Sequence, residues 1–227
     1  SSASGPFVQI ITIFGANATT CRNFKLSPNT TYYYRVRAFN TDGDSAYTNV
    51  VSGTTTIVSS QSPTITTQPA SQTITLGSSA TFSITATGTA PLTYQWQKKA
   101  PSAGAFTNIS SATSASYTFT PLAADNGAQF RCTVTNSVGS VTSNAAGLIV
   151  NVTLIINAQN GTVTRSPQGT QVTGGYIYPA GTVVTLTAAP SAGYSFSSWS
   201  GGLTGSANLA TITLNANKTV TANFTLQ

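Results

Sequence analysis

DNGAQFRCTVTNSVG, residues 125–139, and PLTYQWQK, residues 91–98, decide the fold. In the first, Phe130, Cys132 and Val134 fall at every second position with polar residues between them; in the second, Tyr94 and Trp96 do the same. A period of two sends alternate side chains to opposite faces, so each run reads as a half-buried strand. A third run, ATFSITA at 80–86, brings Phe82, Ile84 and Ala86 to one face. Three alternating strands separated by turn residues predict a β-sandwich.

With ITTQPASQTITLG at 65–77, these runs resemble an immunoglobulin domain of the intermediate type as found in bacterial surface proteins, over residues 63–151. Two positions depart from that pattern. Ile84 stands where the first cysteine of the inter-sheet disulfide is expected, and Phe130 stands at the corner tyrosine. Packing of Ile84, Trp96 and Cys132 must then hold the core without the roughly 2–4 kcal/mol a disulfide adds. Cys21 and Cys132 are the only cysteines. They fall in different units, so neither staples its own; both are read as buried free thiols, with an inter-domain or inter-chain disulfide as the alternative.

On the C-terminal side, GLIVNVTLII at 147–156 runs from the last strand of this unit straight into a new one, with Asn151 the only hinge residue. A stiff junction is expected there. Beyond it, residues 152–227 carry NAQNGTVTRSP, PAGTVVTLTAAPSAGYSFSSWSGG and NKTVTANF. These resemble the divergent internalin B-type repeats of bacterial extracellular proteins. Val184 and Leu186 alternate with polar residues, and Val220, Ala222 and Phe224 form a last alternating strand; Phe196 and Trp199 are read as core. Tyr176 and Tyr178 lie on one side of a short strand before Pro179, and are candidate glycan contacts as an exposed aromatic pair.

On the N-terminal side, LSPNTTYYYRVRAFN at 26–40 places Tyr32, Tyr34 and Val36 on one face of a strand and Tyr33, Arg35 and Arg37 on the other. A turn cluster at 40–45 and a returning strand at 46–54 complete a hairpin. The run resembles the F strand of a fibronectin type III domain. Such a domain has seven strands in about 100 residues, whereas 25 residues precede Leu26 here. Residues 1–56 are therefore read as a partial unit, strands C′ to G, with FVQIITI at 7–13 one strand and residues 20–26 a short one. Residues 57–62 form a Ser/Thr-rich linker. The apolar face of Tyr32, Tyr34 and Val36 then needs a partner. Strands from another copy of the chain or from a neighbouring domain of a longer parent would complete the sandwich and build head-to-tail contacts.

Composition narrows the functional classes. Charged residues are 5% of the chain, and the net charge of +6 comes from scattered Lys and Arg set against three Asp. No clustered basic face suggests a nucleic-acid partner. No apolar run reaches the 18 or so residues of a membrane span. Histidine and glutamate are absent, which removes imidazole bases and paired catalytic carboxylates. Asp42 and Asp44 flank Gly43 and are candidate calcium ligands, although F–G turn chemistry explains them as well. No cofactor and no catalytic residue is expected. The sequence thus predicts an all-β chain of tandem antiparallel β-sandwich and small β domains without substantial helix. Its expected role is a non-catalytic structural or adhesive segment of a bacterial cell-surface or secreted protein. The alternative is a carbohydrate-binding or spacer accessory of a secreted polysaccharide-degrading enzyme, with polysaccharide as its partner.

Overall fold

The computed structural model describes residues 7–8, 20–57 and 59–227. The fold is all-β, and among the described residues the one helical element is a 3-10 turn, Ala123–Asp125. The chain divides after Ser60 into two compact units.

In residues 1–60 the expected hairpin forms. Thr31–Tyr34 pairs antiparallel with Val51–Thr54, Tyr32 opposite Gly53. Inward of that ladder, Thr48 N donates to Val36 O at 2.8 Å and Ser45 N to Ala38 O at 2.9 Å, before Phe39–Asn40 meets Gly43–Asp44 at the tip. Asn40 Oδ1 accepts the Asp42 amide at 2.9 Å, and Gly43 supplies a φ of +133° that other residues rarely adopt. Residues 20–26 form no strand, a correction to the sequence expectation. Lys25 has a φ of +60°, which interrupts an extended run at its end. The FVQIITI strand falls largely outside the described residues.

Residues 61–227 contain two apolar cores. The first is ringed by aromatic side chains: Phe82 stacks on Phe130 with centroids 4.6 Å apart, and Phe119 lies 5.2 Å from Phe130. Trp96 is fully buried and its indole N–H donates to Ser114 O at 2.9 Å. Ile84 and Cys132 are buried beside them. Each large apolar side chain so buried contributes about 1.5–3 kcal/mol, and each aromatic pair about 0.5–1.5 kcal/mol more. That is the scale of the absent disulfide. The second core gathers Val152, Leu154, Val184, Leu186, Trp199, Ile212, Leu214 and Val220. On one side it is covered by the three-stranded sheet of Gly161–Ser166, Val183–Pro190 and Leu209–Thr213.

One strand serves both cores. Ala146–Ala158 is continuous over 13 residues. Ala146, Leu148 and Val150 enter the first core and Val152 and Leu154 the second, all at even positions and so all on one face. Its partners change along its length. Gln72–Thr75 pairs parallel with residues 148–151, Gly175–Pro179 antiparallel with residues 151–154, and Lys218–Leu226 parallel with residues 154–158. Among the described residues the otherwise antiparallel architecture thus contains two parallel pairings, both made by this strand.

Asn126 bolts the junction. Its Nδ2 donates to Ala180 O at 2.8 Å, while its Oδ1 accepts the Val150 amide at 2.9 Å. Ala180 N donates to Val150 O, Leu76 N to Asn151 O and Gly127 N to Leu148 O, each at 2.8 Å. Asn217 Oδ1 takes the Thr153 amide at 2.9 Å. Asn151, the one residue expected to hinge, is therefore held in register on both sides.

Candidate functional site

The Tyr176–Tyr178 strand places both rings on the side the sequence predicts, but that side is covered. Gly169, with a φ of +70°, lies under the Tyr178 ring, and a Cβ there would come 2.3 Å from Tyr178 Cζ. Only glycine lets the 167–169 backbone pass so close. The Tyr178 hydroxyl then donates to the carbonyls of Gln168 and Pro167, at 2.9 and 3.1 Å. Tyr178 is 2% exposed. Burial pushes its phenol pKa up, against the lowering effect of nearby Arg165. As a glycan contact Tyr178 is corrected: its ring and hydroxyl are both occupied by the protein.

Tyr176 is half-buried beneath the Arg165 guanidinium, whose Cζ lies 3.2 Å from the ring centroid. Arg165 is fixed in turn by donating from Nε to Gln168 O at 2.7 Å. One face of Tyr176 is thereby taken by a cation–π contact. Trp199, the other large ring of this half, is 2% exposed with its N–H donating to Ala207 O at 2.9 Å. Phe196 packs against it at 5.2 Å, partly buried at the edge of the core.

Two open grooves lie on the same half. One runs between Asn157, Gln159, Thr221, Asn223 and Phe224, and the other between Tyr194, Phe196, Ser206, Asn208 and Gln227. Their linings mix these amides, hydroxyls and rings with apolar residues, Ile156, Ala158 and Ala222 in the first and Pro190 and Ala207 in the second. They offer hydrogen bonds and no charged group.

In residues 1–60 the acidic turn is occupied by its own chain. Asp44 forms an ion pair with Arg37 across the hairpin, and Asp42 follows the Asn40 turn. No group of three or more His, Cys, Asp or Glu side chains comes together among the described residues. The face of Tyr32, Tyr34 and Val36 is partly covered locally: Tyr32 Oη accepts the Ser27 amide at 2.8 Å, and Tyr34 Oη accepts Asn23 Nδ2 at 3.3 Å. Val36 is 66% exposed. On the other face Arg35 lies between the Phe7 and Tyr47 rings, 4.2 and 3.9 Å from their centroids.

The two thiols differ. Cys21 is exposed, against the expectation that both are buried; Cys132 is fully buried. Burial pushes the Cys132 thiol up to about 11, so it carries no thiolate near neutrality. Asp125 closes the 3-10 turn by accepting the Leu122 amide at 2.9 Å and forms an ion pair with Lys98. No helix among the described residues is long and apolar enough to cross a membrane. Sequence reasoning missed Arg165 and Asn126. An N-G dipeptide before a strand signals only a turn, and nothing local shows that its amide reaches residues 150 and 180.

Residues 63–150 match the family model of the immunoglobulin I-set domain, and residues 150–227 that of the divergent InlB B-repeat domain. Comparison with curated proteins gives no match. Among solved structures, an I-band fragment of titin is 17% identical over 71% of this chain and 64% of that chain, with a TM-score of 0.34. The N-terminal four Ig domains of Dscam1 isoform 7.44 are 14% identical over 84% of this chain and 53% of that one, with a TM-score of 0.40. Domains 3–5 of Drosophila OTK are 15% identical over 53% and 40%, with a TM-score of 0.32. The chain thus spans less than two thirds of the length of each.

Proposed function

We propose that these residues form a non-catalytic structural or adhesive segment of a bacterial protein that is secreted or held at the cell surface. The observation that carries this reading is the strand Ala146–Ala158, which runs unbroken from the first core into the second. Among the described residues, no buried side-chain nitrogen or oxygen lacks a hydrogen-bond partner. A rigid spacer needs such closed cores, whereas a catalytic cleft needs polar groups held open to a substrate. The Tyr32 corner and the hairpin ladder favour a fibronectin-like identity for residues 1–56, with residues 57–62 the linker.

Head-to-tail assembly is the finer part of the proposal. Among the described residues the Thr31–Tyr34 and Val51–Thr54 ladder has two strands, and Val51 in it and Val36 beyond it are 63% and 66% exposed; such an edge would accept strands from another copy or from a neighbouring domain. Antibody labelling of intact producing cells tests the location, with surface or medium staining expected and staining only after lysis contradicting it. Negative-stain electron microscopy of the full chain at rising concentration tests assembly. End-to-end strings are expected, and dispersed monomers at every concentration would overturn that part. A polysaccharide-binding accessory role rests on Tyr176 alone once Tyr178 and Trp199 are found in the interior.

A further inference from the structure

We infer that Ala146–Ala158 is a tension splice: it ends one body, begins the next, and is held in each by a parallel partner that pulling from the two ends loads in shear. The inference rests on the structural-segment reading above. In the C-terminal body the first strand is the second half of Ala146–Ala158 and the last is Lys218–Leu226. Tension enters the first at its N-terminal end and leaves the last at its C-terminal end. Because the two run parallel, these ends lie at opposite ends of the ladder. The five register pairs from Leu154–Lys218 to Ala158–Ala222 then resist together.

The same geometry recurs in the preceding body. Gln72–Thr75 runs parallel to residues 148–151 over four pairs, so tension reaching it from its N-terminal side opposes tension leaving through Ala146–Ala158. Between the two clamps no residue is left to stretch. Val150, Asn151 and Thr153 are each bonded laterally, to Asn126 and Ala180, to Leu76 and to Asn217. The hairpin of residues 31–54 is the internal contrast. Thr31 sits opposite Thr54, so pulling at those ends opens the pairs one after another.

Single-molecule pulling of the full chain, with Cys21→Ser to leave no exposed native thiol, tests this. One handle is fixed at S60C; the other is placed at Q227C or at A216C, all at exposed positions. From residue 227 the closing ladder is sheared, and from residue 216 the same ladder is peeled from its N-terminal end. Forced unfolding is governed by the barrier along the pulling direction. The event that breaks this ladder releases residues 152–227, roughly 27 nm of contour, from the residue 227 handle and residues 152–216, roughly 23 nm, from the residue 216 handle, at about 3.5 Å per residue; its rupture force is expected to fall severalfold when the handle moves to residue 216. Equal forces in the two geometries would overturn the inference; N215C supplies a second peeling handle if A216C does not fold. The surface-labelling experiment is independent, so mislocalisation would overturn the structural-segment reading without altering the ratio of forces.

Discussion

The hairpin of residues 31–54 and the body of residues 61–227 use the same two-residue alternation, yet among the described residues only the body converts it into a core. Among the described residues before Ser60 none is buried. Tyr32 and Tyr34 are half-covered by local contacts, while Phe24 and Val36 are 73% and 66% exposed. In the body, Phe82, Trp96, Phe130, Leu148 and Leu154 have essentially no contact with water. Alternation supplies an apolar face, but stability comes from a second sheet to close over it.

The largest expected effect that would sharpen this contrast is at the aromatic centre of the first core. Trp96→Ala should lower the unfolding free energy of the body by about 3–5 kcal/mol in chemical denaturation, since it removes a buried ring and leaves a cavity. Tyr32→Ala, in the hairpin, should leave the body's transition where it is. A loss under about 1 kcal/mol at Trp96 would mean that the ring is not a core element.

Alkaline pH separates the two regions next. Cys132 stays protonated in the fold up to about 11, whereas its unfolded value is 9.0. Between those values the unfolded chain has released the proton and the folded chain still holds it, so stability falls as pH rises. The loss is about 2–3 kcal/mol by pH 11, at 1.36 kcal/mol per pKa unit. Cys132→Ala should remove that part of the slope while carrying its own cavity cost. Consistently, a thiol reagent at neutral pH should modify Cys21 in the native chain and Cys132 only after unfolding. Rapid modification of both would break the comparison.

A smaller change is expected from Asn126→Ala, which strands the Val150 amide and the Ala180 carbonyl; about 1–3 kcal/mol should be lost. Smallest is Val36→Ala, which should shift stability by less than about 0.5 kcal/mol in the monomer. Its effect should instead appear in the length of any end-to-end assemblies. If Val36→Ala destabilised the isolated chain strongly, the hairpin would have a covered face after all.

Much of the fold was legible because its strands are half-buried. Phe130, Cys132 and Val134, or Val184 and Leu186, declare their inward face by spacing alone. What spacing does not declare is the partner. Ala146–Ala158 reads as one long apolar alternation, but the two parallel pairings that close it come from residues 72–75 and 218–222, far away in sequence. Tyr176 and Tyr178 show the same limit. Their spacing correctly places them on one side of a strand, yet whether that side meets water is decided by Arg165 on the strand Gly161–Ser166 and by Gly169 in the loop after it. Lys25 misled for a local reason: its positive φ interrupts the extended run and has no signature in residue type.

Calorimetric unfolding of residues 61–227 tests most directly whether the shared strand makes the two cores one body. A single transition is predicted, with calorimetric and van't Hoff enthalpies equal, and with Leu154→Ala in the second core lowering the same midpoint as Trp96→Ala in the first. Two resolved transitions, each moved by only one of these substitutions, would contradict it.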